Sequence, residues 1–329
     1  MEWVMGVDGG GSKTRFVACS LDGRLLCRSM AQGINLRTWS PEDAIKHLNG
    51  GSRDLISAAH LIPSSCHYVY LRIAGIIGSG CTDIYEEALR AQGYNCHIQI
   101  EGDIRCAWAG ATAFGNGIVV GSGTGSFAYG EDEHGMSHLA GGWGHLFGDE
   151  GSAYDLGRMA LVACFKASDG RGQWTQLAKM VRDELNTDDL RKAASTLRAR
   201  RDLVTTVARL TVLVFKAEEM GDPLAKSIIQ RAASELAEAT YAVWKSVFPD
   251  LDAIRVFPIG SVFSNQPRFV SEFSRALGCL LPGAQVSLPR FTPDIGAGLI
   301  ALRNTVSASE WQRVLCNLEV SIKTKGNER

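Results

Sequence analysis

Two short glycine-rich turns carry the groups best suited to hold a polyphosphate: "GVDGGGSKT" (Gly6 to Thr14) and "GSGTGS" (Gly121 to Ser126). Glycine permits positive φ and lets backbone N–H groups approach an anion without side chains in the way, while Ser12, Thr14, Ser122 and Thr124 add hydroxyl donors. Asp8 stands before the first turn. Together the turns look like a clamp on a polyphosphate and its metal, although each alone is equally compatible with a plain hairpin. Neither is a P-loop or a dinucleotide-binding loop. Ser12 separates the last glycine from Lys13, "RFVACS" continues as strand, and "GSGTGS" is followed by "FAYGE" rather than by a helix.

Two carboxylate positions extend the chemistry. Asp103 ends an apolar strand and opens a helix, where it either caps that helix or, at the strand end of an α/β sheet, accepts the proton of an attacking hydroxyl. The two phosphate-suited turns favour the base, and one Asp can serve both roles. Asp149 and Glu150 precede "GSAYDLGRMAL", so they either complement a helix N-terminus or bind a sugar hydroxyl through paired carboxylate hydrogen bonds. The glycines at 141, 142, 144, 148 and 151 argue for close backbone approach. Trp143 is assigned to the core rather than to a sugar-stacking face. His134, His138 and His145 fall across loops and do not form a metal set.

These residues need elements to position them. Trp3 to Asp8 and Arg15 to Ser20 flank the first turn as strands, and the Asp-Gly of "LDGR" leads into "LLCRSM", so a β-meander opens the fold. A helix from Pro41 to about His60, a strand over His67 to Gly75, a helix over Asp83 to Gln92, a strand over Cys96 to Asp103 and a helix over Ile104 to Ala113 follow. Gly117 to Gly135 then repeats the plan of residues 6 to 23. This predicts a duplicated domain with the turns facing across a cleft and a boundary near Gly115. Helices dominate from Glu150 to Val247 with a break at Met220 to Pro223, and Ala253 to Asn265 is a strand followed by a glycine turn.

The 329 residues exceed what one core usually serves, and a hydrophobic content of 45% can fill two. A net charge of -1 supplies no long-range attraction to nucleic acid or anionic lipid, so neither is an expected partner. The basic run Arg191 to Asp202 reads as a solvated helix face. Nine cysteines, an odd number without a C-x-x-C pair, indicate neither a disulfide frame nor a zinc site, and a reduced cytoplasm fits best. No signal peptide or membrane span is expected.

In order along the chain, "DGGGSKT" (Asp8 to Thr14), "GDIRCAWAG" (Gly102 to Gly110), "GSGTGS", "GGWGHLFGDEGSAYDLG" (Gly141 to Gly157) and "IGSVF" (Ile259 to Phe263) resemble the motifs of the sugar-kinase, heat-shock-chaperone and actin superfamily. Within it they are most similar to the N-acetylglucosamine kinase branch of the BadF/BadG/BcrA/BcrD ATPase-like family. The resemblance implies an α/β, two-lobed, duplicated ribonuclease H-like (actin-like ATPase) fold with an interlobe active-site cleft. The N-terminal lobe would span 1–114 and the C-terminal lobe 115–329, with the last helix free to pack back on the first.

It implies roles as well. Asp8 would hold Mg2+ through water. Gly9, Gly10, Gly11, Ser12, Lys13 and Thr14, with Gly121, Ser122, Gly123, Thr124 and Gly125, would cradle the phosphates of ATP, and Gly260 and Ser261 would line the adenosine site. Asp103 would be the catalytic base and a sugar contact, and Asn35, Gly75, Thr124, Gly142, Asp149 and Ala153 would surround the hexosamine. Two departures bear on the sugar: Ala74-Gly75 stands where the family often has Ser-Gly, and Leu36 and Arg37 follow Asn35 where an aromatic residue is common.

The activity so implied is ATP-dependent phosphorylation of the 6-hydroxyl of N-acetylglucosamine in a cytoplasmic homodimer. Kinases of glucosamine or N-acetylmuramic acid are the near alternatives. An ATPase activator of a radical dehydratase or reductase, or a sugar sensor without turnover, are the distant ones.

Overall fold

The computed structural model of the chain describes residues 1–73, 75–76, 81–102 and 104–326. It separates into two compact units, Met1–Phe114 with Pro289–Arg329, and Gly115–Leu288.

In the first unit β1 (Trp3–Gly9), β2 (Lys13–Ser20) and β3 (Leu25–Gln32) form the antiparallel meander. After α1 (Pro41–Ala58) the chain enters β4 (Cys66–Ile73), parallel to β1, and after α2 (Asp83–Arg90) it enters β5 (His97–Glu101), parallel to β4. Helix α3 (Arg105–Thr112) follows, with Ile104 at its N-cap position. Helix α1 starts where the sequence says it must: Pro41 occupies its first turn and Ser40 Oγ accepts the Asp43 N–H at 3.1 Å. The sheet order is β3-β2-β1-β4-β5.

The second unit repeats this plan. Strands β6 (Ile118–Ser122), β7 (Ser126–Glu131) and β8 (Ser137–Gly141) make an antiparallel meander, and β9 (Ile254–Ile259) and β10 (Ala284–Val286) add to β6 in parallel. The order β10-β9-β6-β7-β8 is that of the first sheet when counted within its own unit. The meander followed by two parallel strands is the ribonuclease H-like arrangement, present twice.

Helices fill the long connection between β8 and β9: α4 (Ala153–Ser168), α5 (Gln176–Leu185), α6 (Leu190–Arg198), α7 (Leu203–Arg209), α8 (Thr211–Glu219) and α9 (Pro223–Val247). Two more, α10 (Ser261–Asn265) and α11 (Pro267–Leu280), stand between β9 and β10. Val120, Leu156, Leu236 and Phe269 are among the residues of one continuous buried core in this unit.

The expected second lobe runs to Arg329 with the last helix free to pack back on the first; the structure returns everything from Pro289 onward to the first unit. The last two helices, α12 (Pro293–Arg303) and α13 (Trp311–Gly326), belong to the first unit. The reason is packing on bare backbone: a Cβ at Gly6 of β1 would lie 2.1 Å from the Gly298 nitrogen of α12, a contact no side chain survives. Arg28 of β3 also reaches the buried Asp294 at the start of α12, 3.2 Å away. That return is a tertiary event with no local signal.

Candidate active site

The first glycine turn is tied into its unit through its carbonyls. Gly10 N–H closes the turn on the Lys13 carbonyl at 3.0 Å. The Gly10 carbonyl accepts the Ile34 N–H at 3.1 Å, and the Gly11 carbonyl accepts Trp39 Nε1–H at 2.7 Å. Among the described residues the amides of Gly11 and Ser12 have no protein acceptor. Acceptors turned inward and donors left over are what an anion requires. Ser12 and Lys13 are exposed, whereas Thr14 is fully buried and its hydroxyl has no hydrogen-bond partner.

Asp8, one residue before the turn, accepts a hydrogen bond from Arg72 Nη1 at 2.9 Å. Arg72 lies beside Asp8 in the β1–β4 register and beside Glu101 in the β4–β5 register. It ends a polar row along β4 in which the Tyr68 hydroxyl donates to Gln99 (2.6 Å) and the Tyr70 hydroxyl to Glu101 (2.7 Å). Arg72 is not among the residues expected at the site from the sequence. Its signal was a charged residue inside the otherwise apolar run "HYVYLRIAG". Asp103 and Ala74 lie outside the described residues.

Asn35 belongs to the segment that grips the turn. Its Oδ1 accepts the Arg37 N–H at 2.8 Å and its carbonyl accepts the Thr38 and Trp39 N–H groups at 3.0 Å. The Tyr85 hydroxyl of α2 anchors the Ile34 carbonyl at 2.5 Å. Gly75 has φ 73° and faces the Arg37 side chain.

In the second unit three predicted motifs meet. The turn Gly121 to Ser126 closes by the Gly123 N–H to the Gly125 carbonyl (3.0 Å). Asp149 reaches it: Oδ1 accepts the Ser126 N–H at 3.2 Å, and a Cβ at Gly125 would stand 2.9 Å from that oxygen. Gly260 closes on the other side, since a Cβ there would lie 2.4 Å from the Ser122 carbonyl oxygen. Ser261 Oγ would be 3.9 Å from a Cβ at Gly123. The turn Gly121 to Ser126, the acidic loop and the turn at Gly260 thus adjoin one another.

Several assigned groups are structural within it. The Ser122 hydroxyl is buried and donates to the Gly151 carbonyl at 2.7 Å, so it is not free for a phosphate. The Ala153 N–H opens α4 and donates to the Gly123 carbonyl at 2.8 Å, locking the turn. Thr124 and Gly142 are exposed. Helix α4 begins with Ser152 Oγ accepting the Asp155 N–H (3.1 Å) while Asp155 accepts the Gly151 N–H (3.2 Å), a reciprocal cap that fixes the exit of the acidic loop.

Asp149 itself has φ 62°, a left-handed conformation Asp tolerates better than most residues. Burial pushes its carboxyl above the ordinary range, opposed by the Ser126 amide and by His145. Trp143, assigned to the core from sequence, is 75% exposed, as are Leu146 and Phe147 at 74% and 83%. Gly141, Gly142 and Gly144, all at positive φ, carry this loop away from the sheet. His145 packs edge-on against Tyr154 at 5.2 Å, a packing contact, and no metal-binding cluster of His, Cys, Asp and Glu occurs among the described residues. All nine cysteines are free thiols, and no described helix is long and apolar enough to cross a membrane.

Known proteins share this frame. A curated N-acetylmuramic acid/N-acetylglucosamine kinase of Clostridium acetobutylicum is 30% identical over 301 residues, which is 92% of this chain and 98% of that protein. An N-acetyl-D-glucosamine kinase of Dictyostelium discoideum is 27% identical over 320 residues, again 92% of this chain and 98% of that protein. A solved structure from Chromobacterium violaceum, provisionally described as an N-acetylglucosamine kinase, superposes with a TM-score of 0.72 at 24% identity. It covers 92% of this chain and 99% of that one, which establishes the common fold. The model of the BadF/BadG/BcrA/BcrD ATPase family matches residues 5–301, and the chain belongs to that family.

Proposed function

We propose that the protein is an ATP-dependent amino-sugar kinase that transfers the γ-phosphate to the 6-hydroxyl of N-acetylglucosamine. The observation that carries this reading is Asp149 bonded to the turn Gly121–Ser126 while Gly260 closes on the same turn from the other side. A sugar-binding carboxylate and a nucleotide-binding turn then share one rigid support, which is how phosphoryl transfer is helped most, by positioning. The relatives' named substrates agree with it.

In this reading the free amides of Gly11 and Ser12, with Lys13, bind phosphate oxygens. Thr124 and the amide of Gly125, which has no protein acceptor among the described residues, do so in the second turn, and Gly260 and Ser261 flank the adenosine. Asn35, Gly75, Gly142 and Asp149 hold the hexosamine, Asp149 as a two-oxygen acceptor for its hydroxyls. Asp103 accepts the proton of the 6-hydroxyl. Arg72 keeps the Asp8 carboxylate oriented.

Asp8 fits Mg2+, a hard cation that keeps most of its water and takes one or two carboxylates: it offers one partly exposed carboxylate beside amides suited to phosphate. When bound, the cation neutralises charge on the phosphate oxygens. The reading also has the enzyme cytoplasmic and homodimeric, expectations that rest on the resemblance and on the cysteine pattern.

The test is ADP release over glucose, glucosamine, N-acetylglucosamine, N-acetylmannosamine and N-acetylmuramic acid. N-acetylglucosamine should have the highest kcat/KM. Another sugar ahead by more than about tenfold, ~1.4 kcal/mol of transition-state stabilisation, would refute the substrate assignment and leave the kinase class.

A further inference from the structure

Cys66 and Cys96 stand together at the starts of β4 and β5, the opposite end of those strands from Arg72. The β4–β5 register sets Val69 beside Ile98, and Cys96, two residues before Ile98, projects to the same face. Cys66 lies three residues before Val69, so strict alternation would turn it to the other face. The β1–β4 ladder corrects this: Trp3 lies beside Cys66 but Val4 beside Tyr68, which makes His67 an extra residue whose bulge turns Cys66 back. Cys66, Val69 and Ile98 accordingly share one buried cluster, and Cys96 packs against it. The two thiols are hydrogen-bonded to each other. Neighbouring strands run about 4.8 Å apart, within the ~4.4–6.8 Å that separates the Cα atoms of a disulfide.

The pair is chemically unequal. Burial pushes the Cys66 thiol up, so it keeps its proton and donates it to Cys96. Cys96 is half-buried, and its thiol is held below the ordinary range by the hydrogen bond from Cys66 first, then by backbone amides and the Arg90 guanidinium, against the opposing effect of burial. Arg90 is fixed beside it by donating to the Tyr94 carbonyl at 2.9 Å and to the Cys96 carbonyl at 2.6 Å. A reachable thiolate next to a protonated, buried thiol is the arrangement of an attacking and a resolving cysteine. We propose that Cys96 and Cys66 form a redox-active dithiol site whose oxidant is a low-molecular-weight disulfide. The Cys96 thiolate attacks one sulfur of the oxidant, forming a mixed disulfide and expelling the first thiolate. Cys66 then loses its proton to water, attacks Cys96 Sγ and expels the second. The two cysteines give up two electrons, and the oxidant's sulfur–sulfur bond is reduced to two thiols. The product clips the starts of β4 and β5 together around α2, and nothing in this chemistry depends on the kinase reading.

The experiment treats the folded full chain with oxidised glutathione, blocks the remaining thiols with N-ethylmaleimide in acid, and maps the peptides by mass spectrometry in the parent, Cys66→Ala and Cys96→Ala proteins. The parent should yield peptides linked through Cys66 and Cys96, with two glutathiones released per bond formed, and dithiothreitol should restore both thiols. Cys66→Ala should stop at a glutathione adduct on Cys96, whereas in Cys96→Ala the buried Cys66 should stay reduced. In urea the parent should lose this preference and react across its nine cysteines. A folded parent in which Cys96 stays reduced while the exposed Cys279 and Cys316 react overturns the inference. So does one in which Cys96 ends as a lasting glutathione adduct beside an unreacted Cys66. A Cys66–Cys96 link that forms equally well in urea overturns it too, because the fold would then contribute nothing to the pairing.

Discussion

Gly260→Ala is the sharpest perturbation of the second unit. Gly260 has φ 98° and ψ 167°, a region that is essentially glycine-only and costs other residues about 1–3 kcal/mol. The added methyl would stand 2.4 Å from the Ser122 carbonyl oxygen and 2.7 Å from its carbon, and relieving that overlap by moving backbone costs a further ~1–3 kcal/mol. Gly135→Ala is the comparison for a positive φ (83°) without a close neighbour, since nothing lies within 4 Å of a Cβ there. The difference between the two variants then contains the contact with the turn Gly121–Ser126, expected at about 1–3 kcal/mol, which for a unit of this size is about 2–4 °C of melting temperature per kcal/mol. If the displaced atoms belong to a turn that binds nucleotide, as proposed, the affinity for ADP should fall by roughly 5- to 150-fold in Gly260→Ala and stay at the parent value in Gly135→Ala. Calorimetric titration with ADP and thermal unfolding measure both. If Gly260→Ala binds and melts like Gly135→Ala, the close approach of Gly260 to Ser122 does not shape the nucleotide site.

Asp149→Asn keeps an acceptor for the Ser126 amide and suits φ 62°, so the fold should persist while sugar affinity drops about tenfold or more, as read by titration. Burial raises the folded-state pKa of Asp149, so the folded protein holds that proton to higher pH than the unfolded chain. The aspartate's contribution to stability falls as pH rises from the ordinary carboxyl range through the raised value. The melting temperature of Asp149→Asn relative to the parent should therefore climb over that window, and a flat difference would contradict the assignment. Asp103→Asn should lower kcat by ~10²–10⁴-fold with both substrates still bound, and a kcat within threefold of the parent would remove Asp103 from the mechanism. Asp222 accepts the amides of Leu177 (2.7 Å), Leu224 (2.9 Å) and Ala225 (3.1 Å), and these outweigh burial to hold its pKa below the ordinary value. Asp222→Ala should cost about 1–3 kcal/mol in urea unfolding near neutrality. That gap should narrow on acidification below about pH 4, as the folded carboxylate of the parent is protonated, and a pH-independent gap would count against the capping role.

The hairpins and the repeat were legible because glycine turns and β-branched runs are local signals: Gly6–Ser20 and Gly117–Glu131 fold as their residues suggest. Strand and helix ends were less so, with the strand before Asp103 closing at Glu101, where pairing with β4 ends. What the sequence hid depends on distant partners. The hydroxyls of Ser122 and Thr124 look alike on paper, yet one is buried against Gly151 and the other is exposed. Trp143 was assigned inward on residue type alone, but its loop, built on positive-φ glycines, lifts it out. Arg72 was passed over because its partner Asp8 is 64 residues away and becomes adjacent only through β1–β4 pairing. The packing of α12 on Gly6 is equally remote and equally decisive.

The central claim is a phosphoryl transfer from ATP to O6 of an N-acetylated hexosamine. Phosphorus NMR of the product formed from ATP, Mg2+ and N-acetylglucosamine tests it most directly. The account predicts a new phosphomonoester resonance coupled to the two C6 protons, appearing in step with ADP. A phosphate coupled to the anomeric proton, or ADP and inorganic phosphate with the sugar unchanged, would contradict it.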